Sequence, residues 1–437
     1  MGKFLCRKIL SRILILSMLL FACPGGPGES QVLAKTKETP QLSENAIYVS
    51  RKGSDENDGS LERPYASLQK ALDRVTKGQT IYVRKGTYKG FSRFVTSGDG
   101  ESYITLTAYP GEKAVLKGIA KTEGAVLDLG GNSYIEISGL DIGGFKAERA
   151  YGILLDEGES HIRIKNNKIH NLATKKGEAN AILCIGYEPG EEKAVRNIEI
   201  EGNSIYSNST YWSEALSVTG NSRNVTIKGN RVYKNKNIGI DFCGNFGYCP
   251  DPFYDQPRDC IAEGNIVYSN KCSYAECAGI YVDGARNIQI LNNTVYKNMY
   301  GIEVGAEEKS DYPTRDILVS GNEIYKNPYG GIRIGGYEKD TTGWVRDADI
   351  CNNLLTDNGQ GEGLWNGEFN LGQCSDISFC KNEIHKKNKW APIFASDFED
   401  GTKGYIENIS LKENVLYRAK QEAVAVEGDW EDWGEVE

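Results

Sequence analysis

Three acidic residues occupy equivalent places in short segments of the form Gly-Ile-x-apolar that recur along the chain. Asp241 and Glu303 stand at the third position of two such segments, and Asp283 stands at the fifth position of another. In a strand whose Ile points inward, the third and fifth residues point outward. Stacked strands lie about 4.8 Å apart, which would separate Asp241 from Glu303 by roughly 9.6 Å and Asp283 from Glu303 by roughly 8 Å. Such distances suit an inverting glycoside hydrolase, in which one carboxylic acid protonates the leaving oxygen and a second carboxylate activates water.

The same row of outward positions carries a basic residue and aromatic residues. Arg333 falls one turn beyond Glu303, where it would neutralise a substrate carboxylate or serve a lyase as base or electrophilic partner. Aromatic rings suit stacking against sugar rings, so we expect them to bind substrate. The candidate substrate-binding residues are Tyr281, Trp365, Tyr337 and Tyr248.

A loop of clustered acids follows the segment that holds Asp241. Asp251, Asp255 and Asp259 lie close together in the stretch CPDPFYDQPRDC. Calcium takes six to eight oxygen ligands, and carboxylate clusters of this kind supply them. A solvated acidic loop shaped by its prolines is the alternative interpretation. The sequence therefore offers these three residues as candidate ligands for Ca²⁺.

Each charged group also has a purely structural interpretation. Glu303 and Arg333 would then form an exposed ion pair worth little energy, and Asp283 before Gly284 would be a turn residue. The charged and aromatic residues nevertheless gather where the loops between repeats are longest. Extra loops on one side of a repeat stack usually mark the binding side, which favours the functional interpretation.

The repeat that would align these residues has an asparagine at a fixed place. Its unit reads apolar-x-apolar-x-x-Asn-x-Ile/Val-Tyr/His-x-Asn, and successive copies of its first asparagine lie 27 to 36 residues apart. The repeated asparagines are Asn167, Asn203, Asn230, Asn265, Asn293, Asn322, Asn353, Asn382 and Asn414. Two short strands per unit and the following Gly-Ile-x-apolar strand predict an all-β fold, a single-stranded right-handed parallel β-helix of about ten turns. We expect the asparagines to form a ladder at one bend.

Both ends of the chain depart from the repeat. Residues 66–75 have apolar residues at helical spacing, which predicts a short helix that caps the open end of the stack. The β-helix domain then spans residues 46–420. The acidic residues 421–437 are interpreted as a C-terminal tail.

The amino terminus predicts export from the cytoplasm. Residues 1–34 are typical of a signal peptide and linker, with basic residues before an apolar run too short to anchor in a bilayer. Residues 20–23 resemble a bacterial lipobox that would leave Cys23 lipidated, whereas residues 32–34 suit ordinary signal peptidase. We therefore expect a secreted or cell-surface protein that touches a membrane only through such a lipid anchor.

Charge and cysteine content narrow the classes of partner. The chain has 51 Lys and Arg against 60 Asp and Glu, a net charge of -9, which argues against a nucleic-acid binder. We expect a monomer that binds a polysaccharide or oligosaccharide.

Nine cysteines follow the signal, and Cys243–Cys249 and Cys272–Cys277 are candidate disulfides across short loops.

Three stretches near the amino terminus form a recognisable opening pattern. They read IYVSRKGSDENDGS at 47–60, PYASLQKA at 64–71 and GQTIYVRKGTY at 78–88. This opening resembles that of secreted right-handed parallel β-helix proteins of the pectate-lyase-like superfamily, nearest to polysaccharide lyase family nine and its unassigned relatives. The resemblance implies calcium-dependent β-elimination on polygalacturonate with a Lys base. The family's paired-Asp calcium stretch, of the type Asp-Asp-Gly-Phe-Asp, does not occur in this sequence.

Three functions remain open, each involving a polysaccharide such as a uronate-containing plant cell-wall polymer. A polysaccharide lyase, which the resemblance favours, would abstract the proton next to a uronate carboxylate, with calcium and a basic residue stabilising the carbanion. A glycoside hydrolase would use Asp241 or Asp283 with Glu303 as its acid and base. A non-catalytic glycan-binding β-helix would use the aromatic residues alone.

Overall fold

The computed structural model describes residues 42–338, 341–360, 367–387, 393–395, 406–418 and 424–429. The expected signal peptide and lipobox lie outside these residues, and so does Trp365. Within these ranges, no helix is both long enough and apolar enough to cross a bilayer.

Each turn of the chain is built from strands that bury alternate apolar residues. In Val195–Glu201, Ile198 and Ile200 are buried while Glu199 is exposed. Equivalent residues pack on the next turn, since Ile198 pairs in parallel register with Val225. One turn alone has nothing to bury these side chains against, so the core exists only because many turns are stacked. The predicted right-handed parallel β-helix is confirmed.

Three strands per turn stack into three long faces. The first sheet contains Ala46–Val49, Thr80–Val83, Ile104–Ala108, Ile135–Ser138, Ser160–Lys165, Val195–Glu201, Ser222–Lys228, Arg258–Glu263, Arg286–Leu291, Thr314–Ser320, Val345–Cys351 and Cys374–Cys380. The second sheet contains Gly86–Lys89, Ala114–Lys117, Asp141–Gly143, Lys168–His170, Ser204–Tyr206, Arg231–Tyr233, Ile266–Tyr268, Thr294–Tyr296, Glu323–Tyr325, Leu354–Thr356 and Glu383–Lys386. The third sheet contains Ser92–Arg93, Gly124–Asp128, Arg149–Leu155, Glu178–Gly186, Leu216–Gly220, Ile240–Cys243, Ala278–Asp283, Tyr300–Gly305, Gly330–Ile334, Phe369–Leu371 and Ile393–Ala395.

The predicted asparagine ladder runs through the core at the bend between the first and second sheets. Asn265 donates its backbone N–H and its Nδ2 to Oδ1 of Asn293, at 2.8 and 3.0 Å. Its own Oδ1 accepts the same pair of bonds from Asn230. The residue before each ladder asparagine has a φ between 54° and 71°, which explains why it is usually Gly or Asn.

A second ladder, which was not predicted, follows at the next bend and is formed by the asparagine that ends the repeat unit. Its members are Asn208, Asn235, Asn270, Asn298, Asn327 and Asn358. The ladder ends on Glu368, whose carboxylate accepts hydrogen bonds from the backbone N–H and Nδ2 of Asn358 at 3.0 and 2.7 Å. Two buried ladders therefore fix the register of successive turns.

The ends of the stack are closed by a helix and by a further strand. The predicted cap is the α-helix Leu68–Leu72, which begins after Ser67 and buries its apolar side chains in the core of the first turns. A 3-10 helix, Glu191–Lys193, lies in a loop further along. At the other end, Ile406–Arg418 continues both the first and second sheets and pairs antiparallel with Val424–Asp429. Part of the expected acidic tail is therefore a strand of the sheet.

The disulfide found in the structure is not one of the two candidate pairs. Cys351 and Cys380, at equivalent positions on adjacent turns, are bonded to each other. Cys243 and Cys249 are free, and Sγ of Cys272 lies 3.9 Å from Sγ of Cys277 without a bond. Stacked turns bring equivalent positions together, and this bond uses that proximity.

Candidate active site

The register of the third sheet brings the predicted row of polar residues together. Asp241 pairs with Tyr281, Tyr281 with Glu303, and Glu303 with Arg333 on consecutive turns. Asp283 lies two residues beyond Tyr281 on the same strand. The spacing argument for the carboxylates therefore holds at the level of the backbone. The position after Arg333 is taken by Asn370, where the sequence analysis had placed Trp365.

The row points away from the core and is nevertheless buried, which corrects the expectation of an exposed stripe. Asp241 and Asp283 are each 2% exposed, and Glu303 is 3% exposed. Long loops fold over this face and contribute residues beside the row, including Tyr248 and Glu307. Because these carboxyl groups are buried away from solvent, their ionised forms are less favoured than those of surface acids.

The loops leave a cleft of about 200 Å³ above the middle turns of the sheet. Its acidic lining residues are Glu178, Glu214, Asp241, Glu276, Asp283 and Glu307. Among the described residues that line it, there is no Lys, Arg or His. Exposed aromatic residues stand around it, namely Tyr187, Trp212, Phe246 and Tyr248. The cleft thus combines negative charge on its floor with apolar rings at its rim.

Asp241 is the most constrained of these acids. Burial raises the pKa of its carboxyl well above the usual range, and the neighbouring carboxylates of Glu214 and Asp283 raise it further. Its Oδ1 is buried and accepts no hydrogen bond. Desolvation and like charges both disfavour the ionised form of Asp241.

The pKa values of Asp283 and Glu214 are raised for similar reasons, but the two carboxyl groups have different hydrogen-bond partners. Burial and Glu307 raise the pKa of Asp283, while the backbone N–H of Glu307, 2.7 Å from Oδ1, favours its ionised form. Burial raises the pKa of Glu214 to about 7. Oδ1 of Asp283 accepts a backbone N–H, whereas Oδ1 of Asp241 accepts no hydrogen bond. Carboxylates that accept backbone N–H bonds ionise more readily, so this contact distinguishes Asp283 from Asp241.

Glu303 and Arg333 form a buried ion pair, whereas the structural interpretation of the sequence had it exposed. Arg333 Nη1 donates to Glu303 Oε1 at 2.7 Å, and the side chains are 7% and 4% exposed. The guanidinium lies over the rings of Tyr300 and Tyr337, 5.7 and 5.1 Å from their centroids. Neither Glu303 nor Arg333 lines the cleft. The pair supports the floor beside Tyr281.

The predicted aromatic residues have different surroundings. Tyr281 is buried and lines the cleft, where its hydroxyl donates to Glu307 Oε1 at 3.4 Å. Tyr248 is exposed at the rim. Tyr337 is half-buried against Arg333 and stands outside the lining of the cleft.

The three aspartates proposed as calcium ligands each accept hydrogen bonds from different donors. Asp255 accepts the backbone N–H groups of Gly247 and Cys249 at 2.6 and 2.8 Å, and Asp259 accepts Nδ2 of Asn287 at 2.6 Å. Asp251 accepts a backbone N–H two residues on. In the part of the chain that the structure describes, no group of three or more His, Cys, Asp or Glu is arranged to hold a metal ion. The expected ligand cluster is therefore not formed by these residues, and Asp255 instead shapes the loop that presents Tyr248.

Several residues of the cleft were missed by the sequence analysis. Glu178 opens the long strand Glu178–Gly186, a whole turn that lacks the Gly-Ile-x-apolar signature and carries a continuous apolar run instead. Glu214 and Trp212 lie in an irregular loop before Leu216–Gly220, outside any repeat. The apolar run of residues 181–185 is a signal for the strand that begins at Glu178, and no periodic signal marks Glu214 or Trp212.

Comparison with known proteins agrees with this fold. Residues 47–242 match the family described as "Pel9A-like, right handed beta helix region", and residues 278–429 match "Right handed beta helix region". The chain is therefore a pectate-lyase-like right-handed parallel β-helix protein. It is 35% identical over 401 residues to the uncharacterized protein YwoF of Bacillus subtilis, covering 89% of this chain and 83% of that protein. The chain belongs to the same family as YwoF.

The chain is also similar to part of a protein named as a pectate lyase and, in fold, to a glycoside hydrolase. Pectate lyase PEL9 of Emericella nidulans is 42% identical over 74 residues, which are 16% of this chain and 18% of that enzyme. The structure of the GH136 lacto-N-biosidase from Eubacterium ramulus superposes with a TM-score of 0.52 at 14% identity, over 85% of this chain and 68% of that one. The similarity to the GH136 lacto-N-biosidase concerns the fold alone.

Proposed function

We propose that the protein is a glycoside hydrolase in which Asp241 is the general acid and Asp283 the general base. The observation that supports this assignment most strongly is the buried Asp241 carboxyl, whose Oδ1 has no hydrogen-bond partner and lies in a cleft lined by other carboxylates. Perturbed acids of this kind in a cleft are typical of catalytic sites. A protonated carboxyl there would give its proton to the glycosidic oxygen as the bond breaks.

The two acids differ in the way that acid–base catalysis requires. Burial and like charges favour the protonated form of both acids, but the backbone N–H of Glu307 stabilises the carboxylate of Asp283 and no such donor reaches Oδ1 of Asp241. Because neighbouring acids cannot all ionise in a dry cleft, the proton is shared unequally between them. Asp283 would then take a proton from the water that attacks the sugar.

The backbone geometry leaves room for a sugar and a water molecule between these acids. Asp241 pairs with Tyr281, and Asp283 follows two residues later, which gives a diagonal of about 8 Å between them. Inverting glycosidases separate their carboxyl groups by roughly 6.5–9.5 Å. Glu303, which the sequence paired with these acids, is instead held by Arg333 outside the cleft.

A polysaccharide lyase is the second candidate, and the match to the Pel9A-like family favours it. β-Elimination on a uronate needs a base and positive charge beside the substrate carboxylate. The described lining supplies neither Lys nor Arg, and Arg333 is paired with Glu303. Calcium held by the acidic cleft would have to provide that charge, so a lyase should be inactivated by a chelator.

The proposed setting follows from the amino-terminal sequence. We infer a secreted or lipid-anchored monomer that acts on an extracellular polysaccharide or oligosaccharide, since residues 1–34 have the pattern of an export signal.

The deciding experiment incubates the mature protein with a panel of neutral, amino and uronate glycans, with and without chelator. New reducing ends without ultraviolet absorbance would support the hydrolase. Absorbance from unsaturated products that chelator abolishes would overturn it in favour of the lyase, and no cleavage of any glycan would leave a binding protein. Asp241→Asn and Asp283→Asn should each lower the rate at least about 100-fold. Glu192→Gln, which removes a charge from an exposed side chain away from the cleft, should not change it.

A further inference from the structure

We propose that the ligand of the cleft is a cationic glycan, a polymer of hexosamine units that carry free amino groups. The inference rests on the proposed function in taking this cleft as the substrate site, and it names the chemical class of that substrate. It is drawn from the distribution of charge around the cleft together with one buried oxygen that has no partner.

The carboxylates of the cleft form a gradient from rim to floor. Glu178 and Glu276 are exposed at the rim, Glu214 and Glu307 are half-buried, and Asp241 lies on the floor. No basic residue accompanies them among the described lining residues. A cleft lined by charge of one sign focuses its field and attracts ligands of the opposite sign.

The partners of the rim acids leave them able to accept more hydrogen bonds. Oε2 of Glu178 accepts the hydroxyl of Tyr151 at 2.6 Å, and Oε2 of Glu276 accepts the hydroxyl of Tyr300 at 3.1 Å. Each contact is to a neutral donor, so neither carboxylate has its charge compensated by it. A carboxylate accepts up to about four hydrogen bonds, and an ammonium group supplies three donors.

The unpartnered Oδ1 of Asp241 gives independent evidence for a ligand with donors. It is buried, faces the other cleft acids and accepts no hydrogen bond. A buried acceptor without a partner costs free energy, which a ligand O–H or N–H would recover on binding. Simple cations would satisfy this atom as well, so a second feature is needed to specify a glycan.

The aromatic rim is that second feature. Trp212 packs edge-to-face on Tyr274, with ring centroids 5.3 Å apart, and both are exposed at one end of the third-sheet strands. Tyr187, Phe246 and Tyr248 are exposed at the opposite end. Rings at both ends suit sugar units on either side of the acids, and their faces also attract ammonium groups. A uronate polymer would instead meet the exposed carboxylates of Glu178 and Glu276 and be repelled.

The test measures binding by calorimetry with the full mature chain at slightly acidic pH. The probes are hexamers of β-1,4-linked glucosamine and of α-1,4-linked galactosamine, the N-acetylated form of each, and a galacturonate hexamer. At least one free-amine hexamer should bind at least about tenfold more tightly than its N-acetylated form, and added salt should reduce that difference. The galacturonate hexamer should not bind without a divalent cation. Equal or tighter binding of the N-acetylated hexamers, or no binding of either amine, would overturn the inference.

A matched pair of variants locates the effect. Glu178→Gln, which removes the charge of an exposed rim carboxylate, should weaken the free-amine hexamer at least about fivefold and leave the N-acetylated hexamer within about twofold, because only the free-amine hexamer presents a charge. Glu192→Gln, which removes an exposed charge elsewhere, should change neither. A loss of affinity for both hexamers in Glu178→Gln would show that the residue shapes the cleft and does not recognise the charge of the ligand. Hydrolysis of a neutral glycan without amine binding would sink this inference and keep the proposed function. Binding of a free-amine hexamer without hydrolysis of any glycan would support this inference and contradict the proposed function.

Discussion

Replacing Glu214 with Gln should stabilise the folded protein at neutral and alkaline pH and leave its stability in acid unchanged. Burial raises the pKa of this carboxyl from 4.5 to about 7, opposed by hydrogen bonds from its own backbone and from Ser217 and aided by smaller contributions from the charges of Glu307 and Glu178. The folded state therefore holds a proton that the unfolded chain releases. Gln is nearly isosteric with the protonated acid and has no proton to lose.

The pKa difference sets both the pH window and the size of the effect. Below pH 4.5 the carboxyl is protonated in both states, and its contribution to stability is fully present. Between pH 4.5 and 7 only the folded state keeps the proton, so the free energy of unfolding falls as pH rises. The full loss above pH 7 is at most about 3 kcal/mol, and smaller to the extent that solvent reaches the partly exposed side chain.

Urea unfolding of wild type and Glu214→Gln on both sides of this window measures the effect. The variant should match wild type in acid and be more stable above pH 7, whereas Glu192→Gln should follow wild type throughout. Equal destabilisation of Glu214→Gln at both pH values would refute the reasoning, because it would mean that Glu214 stabilises the fold as an ionised acceptor. The variant also removes a charge that raises the pKa of Asp241, so the alkaline limit of the cleavage rate should move to lower pH.

Three other substitutions test the scaffold. Glu303→Gln should cost about 3–5 kcal/mol in urea unfolding, because it removes the anionic partner of the buried Arg333, and replacing both residues by Leu should recover much of the loss. Asn265→Ala should cost at least about 3 kcal/mol, since it breaks buried hydrogen bonds to both adjacent turns. Cys351→Ala should cost about 2–4 kcal/mol relative to the oxidised protein, and the cost should vanish when both proteins are measured under reducing conditions.

Each of these has an outcome that would contradict it. A Glu303→Gln variant as stable as wild type would mean that solvent reaches the guanidinium. An Asn265→Ala variant that loses no more than Lys228→Ala, an exposed change on a neighbouring turn, would show that the ladder adds no stability. A Cys351→Ala variant equal to wild type in oxidising buffer would show that the bond is absent from the native protein.

The fold was predictable because its determinants are local and repeated. Every ladder asparagine follows a residue with positive φ, so the pairs Gly-Asn and Asn-Asn mark the bend directly in the sequence. The turn containing Glu178–Gly186 was missed because its strand lacks the glycine of the other units. Cys351 and Cys380 each stand two residues before a ladder asparagine, so the repeat contained their pairing, but short-loop spacing pointed elsewhere.

The candidate site was predictable only in part, because two different kinds of structure build it. Asp241, Tyr281 and Asp283 come from strands, and their alignment follows from the register of the solenoid. Glu214 and Trp212 come from irregular loops, whose conformations depend on contacts between distant turns. The burial of the row was missed for the same reason, since the loops that cover it have no period.

The energetics of the molecule point to the same place as its geometry. Along most of the solenoid the outward side chains are solvated, and buried polar groups such as the ladder asparagines are satisfied by hydrogen bonds. The third-sheet cleft departs from this pattern because it buries like charges together, and Asp241 Oδ1 is one of eight buried side-chain atoms without a hydrogen-bond partner among the described residues. Natural sequences tend to accept such local cost where function requires it, and the many stacked turns supply the stability that tolerates it. A substitution that relieves the cost, such as Asp241→Asn, should therefore raise stability above neutral pH and abolish cleavage together.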